Sequence, residues 1–116
     1  MHGPAQRLIR QGGSEYTVRN ASGGGGRGGG NYADDGDLVG VIERRGRPRT
    51  FSDSAGEDID ADLEIRTVGT EDVTIRPAGD AGEYPTVLVH PSGQTYRVVD
   101  DHVEDGGVHV LAVVQS

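Results

Sequence analysis

With 116 residues, 20 of them Gly, no Cys, no Trp and a single Phe, the chain has room for one domain with a thin core, and it holds no disulfide, thiolate metal site or cysteine nucleophile. All eleven basic residues are Arg, against nineteen Asp and Glu, for a net charge of -8. No apolar run approaches a membrane span and the start, MHGPAQRLIRQ, lacks a signal peptide's apolar stretch and cleavage site, so a soluble protein made in the cytoplasm is expected.

Leu8-Ile9 form a short apolar pair, and after Gly12-Gly13 the alternating segment EYTVR predicts a first strand over Glu15 to Arg19. From Asn20 to Asp37 a long connection follows, built on Gly23, Gly24, Gly25, Gly26, Arg27, Gly28, Gly29 and Gly30, without apolar periodicity and expected to be mobile when the protein is alone. Leu38 to Glu43 is a second strand, whose near-continuous apolar run implies burial on both faces or a bulge at Gly40. Arg44 to Ile59 reads as loop, broken by Gly46, Pro48 and Gly56, with an Arg-containing loop assigned to residues 44–60.

Asp62 to Thr67 alternates cleanly, Leu63 and Ile65 to one side and Asp62, Glu64 and Arg66 to the other, and Val73 to Arg76 predicts a shorter strand. Thr86 to His90 and Gln94 to Asp100 flank Pro91-Ser92-Gly93, which has the composition of a hairpin turn. After an acidic turn over Asp101 to Gly107, Val108 to Val114 closes the sheet. No helix is expected. The fold class is all-β: a small barrel or sandwich of five to seven short antiparallel strands with two long loops. Its expected core is Tyr16, Val18, Val41, Leu63, Ile65, Val87, Val89, Tyr96, Val98 and Val110.

The charge is unevenly divided. Residues 1–49 hold eight Arg and five acids (+3) and residues 50–116 three Arg and fourteen acids (-11), an asymmetry that head-to-tail packing of identical copies would use. An acidic chain without Lys repels itself in dilute buffer and is relieved by salt, which points to a halophilic origin; a high-GC genome, which also favours Arg over Lys, is the alternative.

The glycine tract lacks the following Lys and helix of a nucleotide loop, and its one Arg is not an RNA-binding repeat. Arg44, Arg45, Arg47 and Arg49 form the single basic cluster, either a solvated turn or a docking site for an acidic neighbour. Asp58, Asp60 and Asp62 mimic the start of a calcium loop, but Leu63 and Gly69 stand where that motif needs Gly and an acid; an acidic strand face is expected. His90, His102 and His109 would hold a metal only if the meander converged them, and the turn from Asp100 to Asp105 would hold a cation only weakly. No nucleophile elbow or triad order is present. Neither a catalytic site nor a cofactor or metal is assigned.

Taken in order, EYTVR, a long variable loop, LVGVIE, an irregular stretch, DADLEIRT, then PTVLVHPSGQTYRVVDD and a closing apolar strand, the chain resembles the head-completion proteins of tailed viruses. These are the small stopper or head-closure subunits, head-tail connectors that join a portal or its adaptor to the tail. The resemblance spans nearly the whole chain and is most specific over SGQTYRVVD, Ser92 to Asp100. It implies a non-enzymatic virion neck protein made in the host cytoplasm, in a homo-oligomeric ring of roughly six or twelve copies. The portal or adaptor ring would lie on one side and tail proteins on the other, with packaged DNA passing through without sequence-specific binding, and no membrane would be involved. The acidic composition would place such a virus in a halophilic archaeon. In this reading Gly23–Gly30 is the assembly or channel loop and Arg44–Arg49 docks to an adjoining ring. A tail-tube or tail-terminator subunit and a free halophilic binding module are the rival readings.

Overall fold

The computed structural model describes residues 9, 11–21, 32–52, 56–68, 73–78, 84–104 and 107–116. Six antiparallel strands form one sheet: β1 (Ser14–Ala21), β2 (Tyr32–Ser52), β3 (Asp58–Val68), β4 (Val87–Val89), β5 (Thr95–Val103) and β6 (His109–Gln115). The order β1-β2-β3-β6-β5-β4 closes on itself because β4 returns to β1, pairing Thr17 with Val89, Val18 with Leu88 and Arg19 with Val87. The molecule is a closed, all-β barrel, and closure removes the edges that an open sheet would present.

Pleat period selects what fills it. Tyr16 and Val18 of β1, Leu38 of β2, Leu63 and Ile65 of β3, Leu88 of β4, Val98 of β5, and Leu111 and Val113 of β6 form the central cluster, with Ile42, Val73, Ile75 and Tyr96 packed against it. Register locks these together: Tyr16 lies opposite Leu38, Val18 opposite Leu88, Ile65 between Ile42 and Leu111, and Leu63 and Val98 both opposite Val113. Tyr16, Val18, Leu63, Ile65 and Val98 were expected inside.

Val87 and Val89 were expected inside too, but Leu88 between them is the fully buried residue. The run VLV has no polar alternate to reveal its phase, and a shift of one residue exchanges the faces of a strand. The same correction applies to Val41, which sits with Val39 in an outer cluster around Ile9, Val68 and Val108. Val110 is buried, but at the opposite phase to Leu111 and Val113, and Tyr96 is only partly buried. Ala112 has Val110's phase and joins Ala61 and Val99 in a third cluster, covered by Phe51, Ile59 and Val114. The two-sided burial expected of LVGVIE is therefore present, and Gly40 pairs regularly with Ser14 and Thr67 rather than forming a bulge.

Three bulges lie elsewhere: Asp35 is extra on β2 opposite Val18 and Arg19, Val99 is extra on β5 opposite β6, and four β2 residues, Arg45 to Pro48, face Asp62 alone on β3. The last one corrects the loop expected at residues 44–60. Pro48 lacks an N–H and Gly46 breaks the pleat, but a bulge needs no ladder bond at those positions. The chain resumes pairing at Arg49 with Ala61 and continues to Ser52 with Asp58.

Part of the first long connection is strand as well, since Asn20, Ala21 and Tyr32 to Asp37 belong to β1 and β2; the Gly23–Gly30 tract lies outside the described residues. Val73 to Arg76 is not a strand. Its backbone is held by side chains instead: Thr74 N–H donates to Asp35 Oδ2 (3.0 Å), Asn20 Nδ2 donates to the Thr74 carbonyl (2.8 Å), and Arg76 N–H donates to Thr86 Oγ1 (2.7 Å). Val73 and Ile75 still point at the core, which accounts for their alternation.

Both β4–β5 and β5–β6 are joined by the same device. Gly93 N–H donates to the His90 carbonyl (2.8 Å) and His90 N–H to the Gln94 carbonyl (2.9 Å), and Gly107 and Glu104 repeat the pattern with Glu104 and Val108. Gly93 (φ 95°) and Gly107 (φ 78°) supply the left-handed residue that such a turn requires.

Burial, with the neighbouring Tyr96 second, raises the Tyr16 hydroxyl above its ordinary value. The folded state then holds this proton more tightly than the unfolded chain, so its contribution to stability is complete below about pH 10 and falls as pH climbs through the folded value. Tyr16→Phe should flatten the alkaline limb of a plot of Tm against pH; an unchanged limb rules Tyr16 out as its source.

Candidate functional site

The outstanding external feature is the arm made by β2 and β3 beyond the barrel. β3 last pairs with β6 at Leu63 opposite Val113, while its residues Asp58 to Ala61 continue with β2 alone. One face of the arm is pinned to the barrel wall by Phe51 and Ile59. The other carries polar side chains: from directly opposite positions Ser52 Oγ donates to Asp58 (3.5 Å) and Thr50 Oγ1 to Asp60 (2.7 Å), and Arg44, opposite Leu63, reaches diagonally with Nη1 to Asp62 (2.5 Å). The three aspartates that resemble a calcium loop thus lie in line along one strand, each engaged by a cross-strand partner.

Register also divides the basic cluster. Arg44 pairs with Asp62, Arg45 Nη1 lies 2.9 Å from Glu64 Oε2, and Arg49 stacks over the Phe51 ring at 5.1 Å. The Glu64 side chain is only 7% exposed, so Arg45 compensates a carboxylate that would be costly to leave charged and alone. Arg47, exposed in the bulge, has no acidic partner among the described residues. Of four docking candidates, two are committed to the chain's own carboxylates and one to an aromatic face.

At the other end of β2, the Asp35 bulge opens a cleft of about 230 Å³ lined by Asn20, Ala21, Ala33, Asp34, Asp35, Thr74 and Arg76. Asp35 Oδ2 accepts from Asn20 Nδ2 and Thr74 N–H, both at 3.0 Å. Asp34 lies 3.1 Å from Arg19 Nε with its side chain 71% exposed. Sequence reasoning passed over this cleft; its signal is Asp35-Gly36, because Gly36 takes a φ of 118° directly after the extra residue.

The histidines do not converge. His109 Nδ1 bonds Asp101 Oδ1 (2.8 Å), His102 lies 4.0 Å from Glu104, and His90 packs edge-on to Tyr16 at 5.3 Å between centroids. Among the described residues no group of three or more His, Asp or Glu is placed to hold a metal ion. His90 does meet two serines, Ser14 through Nε2 (3.2 Å) and Ser92 through Nδ1 (2.9 Å). The Ser92 backbone N–H also donates to Nδ1 (3.1 Å), which makes Nδ1 an acceptor and leaves the proton of the neutral ring on Nε2. That nitrogen donates to Ser14 while Nδ1 accepts from the Ser92 hydroxyl, and among the described residues no carboxylate bonds the ring to orient it as a triad base.

On the outer wall, Arg66 joins Glu43 (3.6 Å) and Glu104. Burial works against its charge, but Glu104, Glu43 and Glu64 more than offset that and raise its pKa. No protein-family model, no curated protein and no solved structure matches this chain.

Proposed function

We propose that this chain is a structural subunit of a virion neck, one of a ring of identical copies that closes the head of a tailed virus and joins the portal or adaptor to the tail. The observation that supports this reading most is the arm: the chain's longest hairpin leaves a small closed barrel and carries an exposed guanidinium in a bulge. A barrel this size has little core to spare, and lateral packing against copies of itself adds stability by mass action. The Lys-free acidic surface suits a salt-rich host such as a halophilic archaeon, where screening relieves a net charge of -8. Its carboxylates would let DNA pass a channel without adhering.

The test is the assembly state of the full chain by mass photometry, in dilute buffer and in molar KCl, with Tm followed in parallel. A discrete ring-sized species and a Tm gain of about 4 °C, equivalent to about 1 kcal/mol in a domain of this length, are expected at high salt. A monomer under every condition overturns the neck reading in favour of a free binding module. A ring that engages only the end of the tail tube supports the tail-terminator reading instead.

A further inference from the structure

Resting on that reading, we propose that neighbouring copies join head to tail, with the Arg45–Pro48 bulge of one copy seated in the Asp34–Asp35 cleft of the next. β2 is 21 residues long and carries both features. At a strand rise of about 3.3 Å, and leaving out the extra residues of the two bulges, Asp34 and Arg47 stand up to about 33 Å apart, most of the 43 Å length of the molecule. A chain cannot close this contact on itself.

Convex meets concave here, and the charges match. The bulge presents Arg47, exposed and without an acidic partner among the described residues. The cleft presents Asp34, 71% exposed, with Arg19 on one oxygen only. Arg76 lines the same cleft, but Asp34 and Asp35 outnumber it there, and Arg19 meets Asp34 from the side. Because the two surfaces differ, the contact is heterologous: repeated by rotation it closes a ring, and without closure it grows a filament. Acidic repulsion elsewhere on the surface discourages other contacts between copies, so a local attraction selects the register.

Charge reversal tests the contact in the full chain, by sedimentation velocity at about 0.15 M KCl, where the screening length is about 8 Å. Arg47→Glu and Asp34→Arg should each raise the assembly's dissociation constant at least about tenfold. The double variant, which restores the attraction with its polarity exchanged, should recover most of that loss. Both sites are exposed, and far-UV circular dichroism with Tm verifies that each variant is folded. If wild type assembles and Arg47→Glu assembles equally well, or the double variant shows no recovery, the contact is wrong and the ring reading stands. If wild type itself never assembles, both fall.

Discussion

Tyr16→Ala should cost about 3–5 kcal/mol of folding stability, the range for deleting a fully buried aromatic ring. Tyr16 is 1% exposed at the centre of the barrel, opposite Leu38, with the rings of His90 and Tyr96 edge-on at 5.3 and 6.3 Å. Its removal takes away transfer free energy, two aromatic contacts worth about 0.5–1.5 kcal/mol each, and packing that joins strands β1, β2 and β5. Against a total stability of about 5–15 kcal/mol for a single domain, such a loss brings the chain near its unfolding threshold. Tyr96 belongs to the more characteristic hairpin motif, yet it is only partly buried, and Tyr96→Ala should cost clearly less. Urea titration of both variants decides the order, provided the slope of the transition is unchanged so that the midpoint reports stability. A Tyr16→Ala cost below about 1 kcal/mol, or below that of Tyr96→Ala, would mean that the barrel interior is assigned to the wrong face of β1.

That contrast marks where the sequence was readable. DADLEIRT gave its phase because charges alternate with Leu63 and Ile65, and Pro91-Ser92-Gly93 gave its turn because only Gly takes the required backbone without strain. The VLV run of β4 could not be phased, as its inside is chosen by pairing Leu88 with Val18 across the barrel seam, a contact some 70 residues away in the chain (Val18 to Leu88). The arm was hidden by Gly46 and Pro48, which break a ladder in general but not inside a four-residue bulge.

The candidate site was visible as a composition and not as an arrangement. The basic first part of the chain and the acidic remainder suggest two opposed faces, whereas the β2–β3 register lays Arg44 and Arg45 against Asp62 and Glu64 and cancels much of that division locally. What survives is a separation along β2, from Asp34 at one end to Arg47 near the other. Register is the missing information in both cases, because spacing along the chain does not say which residue lies across the ladder.

Gly40→Ala gives the second large effect, and it separates crowding from backbone strain. Gly40 is not among the glycines with positive φ, so alanine can adopt its backbone; in the unfolded chain the substitution even favours folding by about 0.4–1 kcal/mol. The obstacle is space. A Cβ at this position would stand 2.6 Å from Ile65 Cγ2, 3.2 Å from Thr67 Cγ2 and 3.3 Å from the Arg66 carbonyl oxygen. Ile65 is fully buried between Ile42 and Leu111 and has nowhere to retreat, so a net loss of about 1–3 kcal/mol is expected for overpacking. Leucine at position 65 lacks the branched methyl that makes the closest contact. Ile65→Leu alone should cost less than about 1.5 kcal/mol, and in that background the Gly40→Ala penalty should shrink by at least about 0.5 kcal/mol, a coupling that a double-mutant cycle in urea measures directly. Strict additivity would show that the penalty at Gly40 comes from something other than the Ile65 branch, and the packing assigned to the β2–β3 wall would then be incorrect.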